Sequence, residues 1–164
     1  MAERIETFKA EHLDECAHPL KITFNAEPWN DKYTLDTAKA QLVWHLRVPG
    51  CEGLVSVSDG IVALAIGYGL PTDVERVFNL SIFCVRPDAQ RSGVGTRLLW
   101  NLEERLGKSG IQTVFLDTRK GTPAEAFYKK HGYVTNDPDL PIPILPFSER
   151  RGFDLRASAE NLIV

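Results

Sequence analysis

Hydrophobic positions along this chain switch between a spacing of three to four residues and a spacing of two, and the order of the switches predicts its elements. After a short extended start at residues 5–8, residues 13–24 place Leu13, Cys16, Leu20 and Phe24 on one helical face. Pro19 interrupts that face and removes one intrahelical donor, so a kink or a nearby helix start is expected. Ala26-Glu27-Pro28-Trp29-Asn30-Asp31 then reads as a turn carrying an aromatic, because the residue before proline avoids helical angles and Asn and Asp favour turns. A second helix follows, with Thr34 as N-cap, Leu35, Ala38, Leu42 and Leu46 as its apolar stripe, and Pro49-Gly50 as its stop.

From Leu54 the period becomes two, and Asp59-Gly60 is a strong hairpin signal that returns the chain into a strand beginning at Ile61. A third strand is expected over residues 77–85, with Phe78, Leu80, Ile82 and Cys84 on one face and Asn79, Ser81 and Phe83 on the other. Residues 93–106 return to helical spacing through Val94, Leu98, Leu102 and Leu106, and Gly107 and Gly110 end that helix. Residues 111–116 form a short apolar run suited to a buried strand. Thr122-Pro123-Ala124-Glu125 is a capping box for a helix carrying Phe127 and Tyr128 and ending near Gly132. The tail is proline-rich up to Pro146 and holds a last strand around residues 147–155. The alternation predicts an α/β (α+β) arrangement: an antiparallel front half, helical crossovers behind, and no internal repeat or linker.

Composition narrows the class. A length of 164 residues suits a single domain, and 43% hydrophobic with 25% charged residues is average for globular chains. The longest apolar stretch, residues 61–70, is broken by Gly67 and Gly69 and is far short of the ~20 residues of a bilayer span. The first residues have no apolar core of a secretory leader, so a cytoplasmic location is expected. With 19 basic against 22 acidic residues the net charge is −3, the wrong sign for a nucleic-acid partner or an anionic membrane. Cys16, Cys51 and Cys84 are odd in number and widely spaced, which suggests neither a disulfide framework nor a metal site. Cys84, flanked by Phe83 and Val85, reads as a small buried hydrophobe rather than a nucleophile.

The candidate chemistry lies between Leu80 and Thr96. A strand ends at Val85, a polar loop carries Gln90, Arg91, Ser92 and Gly93, and a helix begins through Val94, Gly95 and Thr96. Unpaired N–H groups at a helix start, with glycines that let a bulky anion approach, make a local pyrophosphate site that a net acidic protein can still hold. Arg91 can add a charge-assisted contact. The run has neither the G-x-x-x-x-G-K-[ST] of a P-loop nor the third glycine of the dinucleotide fingerprint.

From Val85 the string resembles V-x-P-x-x-Q/R-x-x-G-x-G, the coenzyme A pyrophosphate motif of the Gcn5-related N-acetyltransferase (GNAT) superfamily, with Gln90, Gly93 and Gly95 in register. About thirty residues on, Ala124 to Tyr133 resembles the superfamily's second motif, A-x-x-x-Y-x-x-x-G-F/Y. Two departures stand out: Gly121 replaces a frequent asparagine, and Asn79 a frequent strand glutamate that acts as base.

The resemblance implies one N-acetyltransferase domain over residues 1–164, built on a central mixed, largely antiparallel sheet flanked by helices. It implies acetyl-CoA as cosubstrate, with its pyrophosphate on the N–H groups from Arg91 to Thr96 and its pantetheine arm beside Phe83, Cys84 and Val85. A backbone N–H near Val85 would stabilise the oxyanion. An amine would attack the thioester directly. Tyr128, a phenol of pKa about 10, would protonate a thiolate whose conjugate acid lies near about 8.5.

No base is evident: Asn79 and Ser81 could position a water but do not titrate usefully, and Glu27, Asp31, Asp73 and Glu75 read first as solvated carboxylates, with a remote base or a cation ligand as the alternative. His45 and His131 read as ordinary helix residues. Trp29, Asn79 and Ser81 are the expected acceptor-binding residues. The acceptor is read as a small-molecule or peptide amine; the carboxylates suit a cationic amine, whereas Arg150 and Arg151 suit an acidic one. A homodimer is common in the superfamily, and no stretch here singles out an interface. The alternative is a non-catalytic acyl-CoA-binding regulatory module, favoured by Asn79 and disfavoured by the intact Tyr128 motif.

Overall fold

The computed structural model describes residues 2–70, 76–135 and 154–155. β1 (Arg4–Thr7), β2 (Cys51–Ser58), β3 (Gly60–Gly69), β4 (Val77–Val85) and β5 (Thr113–Phe115) form one sheet in that order. The first four strands are antiparallel and β5 runs parallel to β4, so the sheet is mixed and largely antiparallel. Gly60, at φ 73°, lets the chain reverse between β2 and β3.

Helices cover both faces. α1 (Leu13–Asn25) and α2 (Leu35–Arg47) bury Cys16, Leu20, Phe24, Ala38 and Leu42 against Val55, Leu64, Ile66, Ile82 and Cys84. α3 (Val94–Lys108) and α4 (Pro123–Lys130) close the other face, where Leu98, Leu102 and Tyr128 pack with Ala65, Phe78, Leu80 and Phe83. α1 runs on through Pro19 because its buried stripe holds the turn in place despite the lost donor. Thr34 caps α2 as expected, accepting from the Thr37 N–H at 3.1 Å. Thr122 likewise accepts from the Glu125 N–H, while the Glu125 carboxylate reaches one residue further back, to the Gly121 N–H at 2.7 Å.

One sequence expectation needs correction. Strict alternation puts Phe78, Leu80, Ile82 and Cys84 on a single face of β4, and the structure divides them. Gly67 pairs with Leu80 and Ile66 with Ile82, which leaves Ser81 without a partner on β3. This β-bulge turns the strand over: Phe78, Leu80 and Phe83 face α3 and α4, and Ile82 and Cys84 face α1 and α2. Asn79 and Phe83 are thereby also parted, since Asn79 sits beside Tyr68 on the α2 side. Gly67 is what admits the bulge, because a Cβ there would lie 2.0 Å from the Asn79 carbonyl oxygen.

The β4–β5 pairing couples Val77, Phe78 and Asn79 to Thr113, Val114 and Phe115 and then stops. Past that point the two parallel strands are no longer paired among the described residues, and Tyr128 of α4 packs against Phe83 on β4. β6 (Val134–Thr135) and β7 (Asp154–Leu155) form a small parallel pair. The rest of the strand expected at 147–155 lies outside the described residues, as do Asp73, Glu75, Arg150 and Arg151. Among the described residues no helix is long and apolar enough to cross a membrane, and no cluster of three metal-ligating side chains occurs.

Candidate active site

The loop after β4 is built to present backbone donors. A short 3-10 turn, Pro87–Ala89, is followed by Arg91 at φ 60° and Gly93 at φ 85°, both left-handed. Ser92 Oγ donates to the Ala89 carbonyl at 2.6 Å and holds the turn. The first ladder bond of α3 runs from the Arg97 N–H to the Gly93 carbonyl, and the N–H groups from Arg91 to Thr96 have no partner among the described residues. Successive donors of this kind form an anion-binding nest, reinforced by the positive end of a 15-residue helix with no acidic residue in its first turn. Gly95 lets that turn sit close to the strand end, since a Cβ would meet Val85 Cγ2 at 3.3 Å and Phe127 Cζ at 3.5 Å. The Gln90 side chain donates to the Val85 carbonyl at 2.9 Å, tying the loop to the strand.

Val85 also faces the opening. The Arg86 N–H bonds to Val62 on β3, so along an antiparallel ladder Cys84 and Ile82 direct their polar groups to β3, and Val85 and Phe83 direct theirs to the opposite edge. The Val85 carbonyl accordingly accepts from Gln90 and, at 3.3 Å, from Thr23 Oγ1 on the last turns of α1. The Val85 N–H points the same way.

Tyr128 closes this space from α4. Its ring is fully buried, 6.0 Å from Phe83 and 5.4 Å from both Phe127 and Tyr133, yet its hydroxyl has no hydrogen-bond partner. Buried polar atoms are nearly always paired, so an orphaned phenol in a tightly packed core marks a missing partner. Burial also pushes its pKa well above the ordinary tyrosine value, and Cys84 adds to the rise, which keeps the phenol a proton donor. Tyr133 donates to Glu103 at 3.0 Å, and burial raises that carboxyl to about 7. The Cys84 thiol is pushed up to about 12 by burial, so no useful thiolate exists at neutral pH.

Four other buried polar atoms lack a hydrogen-bond partner among the described residues: Ser81 Oγ at the bulge, Thr118 Oγ1 just past β5, Asp31 Oδ2 in the α1–α2 loop and His45 Nε2 on α2. The α1–α2 loop is pinned to the β5 side. The Arg119 guanidinium lies over the Trp29 ring at 5.5 Å and donates to the Pro28 carbonyl. Trp29 in turn sets an edge contact with Phe24, 6.1 Å between centroids. Asn79 is already engaged, its amide donating to Tyr68 Oη at 3.0 Å. His131 bridges α4 to the anion loop, with Nε2 3.1 Å from Thr96 Oγ1. His45 is buried on α2 beside Trp44 and Tyr68, and burial holds its pKa below the usual value.

The structure thus brings Gln90 to Thr96, Val85, Phe83 and Tyr128 to one end of β4. Sequence reasoning missed Thr23, Thr118 and Arg119, for which spacing carries no signal; Asp31, read as a solvated carboxylate or a remote base, is partly exposed with its Oδ2 shielded from solvent.

A parallel strand pair that parts beside a donor-rich loop, under a helix carrying a buried tyrosine, defines an acyl-CoA-dependent transferase fold. Residues 10–133 match the acetyltransferase (GNAT) family, and the chain belongs to that family. It is an acetyl-CoA-dependent N-acetyltransferase. The [ribosomal protein bS18]-alanine N-acetyltransferase of Escherichia coli strain K12 is 27% identical over 153 residues, covering 85% of this chain and 90% of that protein. The crystal structure of the Escherichia coli ribosomal-protein-S18-alanine N-acetyltransferase aligns with a TM-score of 0.62 at 23% identity, over 79% of this chain and 76% of that one. AAC(6')-Iy, solved with the bisubstrate analogue CoA-S-monomethyl-acetylneamine, aligns at a TM-score of 0.66 and 16% identity, over 87% and 98% of the two chains. The residues present fit acetyl-CoA: the nest of unpartnered N–H groups suits a pyrophosphate, and the orphaned Tyr128 hydroxyl suits a thioester sulfur.

Proposed function

We propose that this single-domain enzyme transfers acetyl from acetyl-CoA directly to the α-amino group of a peptide. The observation that carries the reading is the buried, unpartnered Tyr128 hydroxyl beside the open edge of β4. Acetyl-CoA supplies an activated thioester with a good leaving group. The N–H groups from Arg91 to Thr96 hold its pyrophosphate, with Gln90 fixing the loop, and the edge of β4 at Phe83, Cys84 and Val85 guides the pantetheine arm. The Val85 N–H stabilises charge developing on the thioester carbonyl oxygen. Tyr128 donates its proton to the departing sulfur. Trp29 and Ser81 line the acceptor side, whereas the Asn79 amide is taken up by Tyr68.

The choice of an α-amine rests on acid–base chemistry. Asn79 stands on β4 where a glutamate would be a strong aid to deprotonation. An α-amine of pKa about 7.7–8.0 is roughly one-tenth neutral at pH 7, whereas a lysine amine of about 10.4 is neutral in roughly one molecule in 2,500. The neutral fraction alone therefore favours the α-amine by roughly 300-fold at pH 7. The relation to a ribosomal-protein alanine N-acetyltransferase supports the same class. Incubating the enzyme with acetyl-CoA and peptides that carry both a free α-amine and a lysine is expected to place the acetyl group on the α-nitrogen by tandem mass spectrometry. Acetylation of lysine alone would contradict the reading.

A further inference from the structure

The reaction needs a group that takes a proton from the acceptor ammonium, and spacing along β4 offers none. We propose that Asp31 is this general base, which rests on the amine-acetylating reading above. Two sets of contacts hold its loop between the end of β4 and the segment after β5. On the β4 side, the Asp31 N–H donates to the Phe24 carbonyl at 2.9 Å, and the neighbouring Thr23 hydroxyl donates to the Val85 carbonyl at 3.3 Å. On the β5 side, Arg119 lies over Trp29 and bonds to Pro28, next to Thr118 with its own unpartnered hydroxyl. The Asp31 backbone is thus held between a helix end tied to the Val85 carbonyl and the loop after β5 that carries Arg119.

The carboxylate is in an unusual condition. Oδ2 is shielded from solvent, accepts no hydrogen bond, and has no salt-bridge partner among the described residues. The side chain as a whole is partly exposed, but a shielded carboxylate oxygen without a donor lacks something to pair with, and an ammonium is a chemically matched occupant. Desolvation raises the Asp31 pKa, with Arg119 opposing, and this narrows the gap to an α-ammonium of pKa about 8. The other titratable group facing it is Tyr33, whose phenol is raised by burial and by Asp31 itself and donates to Gln41.

Rival bases are placed differently. Ser81 and Thr118 carry only hydroxyls. His45 Nε2 is also buried without a partner, but its ring sits near the far end of α2 with Trp44 and Tyr68, and Glu103 is bonded to Tyr133 on the α3 side. Glu27 is exposed.

The proton balance closes. One ammonium proton passes to Asp31 Oδ2, the freed nitrogen lone pair forms the C–N bond, and the C–S bond breaks. Tyr128 gives its proton to sulfur, and the remaining excess proton on the acylated nitrogen replaces it on the phenol oxygen. Asp31 then loses its proton to solvent.

The test is kcat/KM for a peptide α-amine in Asp31→Asn at pH 7 and pH 9. The expected result is a loss of about 10²-fold or more at pH 7 that shrinks below about 10-fold at pH 9, where the amine is neutral without help. An equal loss at both pH values, or a loss under about threefold at pH 7, would overturn the role. Asp31→Glu keeps a carboxylate and is expected to retain most of the pH 7 rate; a purely structural Asp31 would tolerate neither change. Retention of the acetyl-CoA thermal shift checks that each variant is folded. If the unmodified enzyme acetylates only lysine amines, the α-amine reading fails, and the same comparison on lysine, with recovery moved to about pH 10.4, judges Asp31 separately. If no amine is acetylated, both fall.

Discussion

Tyr128→Phe is expected to lower kcat by about 10²–10⁴-fold, the range for loss of a positioned acid, while acetyl-CoA affinity stays within about twofold. The phenol is buried, its pKa is raised and it has no hydrogen bond among the described residues, so the hydroxyl contributes nothing evident to folding. Removing it leaves no partner stranded and relieves an unsatisfied polar atom, so the thermal midpoint should hold or rise. A tyrosine retained for packing would show the opposite: unchanged turnover with an altered midpoint. Thiol release at saturating substrates, calorimetric binding of acetyl-CoA and thermal denaturation together separate the two cases. Cys84 gives no alternative route, because a thiol of pKa about 12 in an apolar site cannot form an acetyl-enzyme at a useful rate near neutrality.

Gly67→Ala is expected to be among the most damaging single-methyl changes in the sheet. The added Cβ would lie 2.0 Å from the Asn79 carbonyl oxygen and 2.6 Å from Phe78 Cε1. One neighbour is backbone and the other is a buried ring, so neither can swing away. Overpacking of a well-filled site usually costs about 1–3 kcal/mol, and a backbone clash this short belongs at or beyond the upper end. At about 2–4 °C per kcal/mol the midpoint should fall by roughly 10 °C or more. Gly69→Ala, two residues along the same strand, is the control: its Cβ meets nothing nearer than 4.0 Å and should shift the midpoint by only a few degrees. Equal effects at the two positions would mean that the bulge opposite Gly67 is not fixed by that glycine.

Much of this was legible in the chain because local chemistry decided it. The Thr34 and Thr122 caps, the Asp59-Gly60 reversal, the helical stripe of α3 and the glycine-bearing loop from Gln90 to Thr96 depend on residues within a few positions of one another, and the structure realises each. What depended on distant partners was hidden. The Ser81 bulge arises because Gly67, fourteen positions earlier, leaves room for the strand to buckle, and a period-two pattern has no means of registering it. Its effect reaches the site, for it turns Phe83 and Val85 toward α4 and the opening. The setting of the Asp31 loop likewise involves Arg119, which crosses from the far strand's loop to cap Trp29. In sequence, Asp31 is one more polar residue in a turn.

The central claim is that acetyl-CoA lies along the open edge of β4 with its pyrophosphate on the amides from Arg91 to Thr96. Hydrogen–deuterium exchange with and without acetyl-CoA tests it most directly, because those six amides are unbonded in the protein alone and should exchange fast. Saturating acetyl-CoA is expected to slow exchange in peptides spanning residues 83–96 and at the start of α4, with little change in β1 or β2. Protection elsewhere in the chain with residues 91–96 unaffected would contradict it.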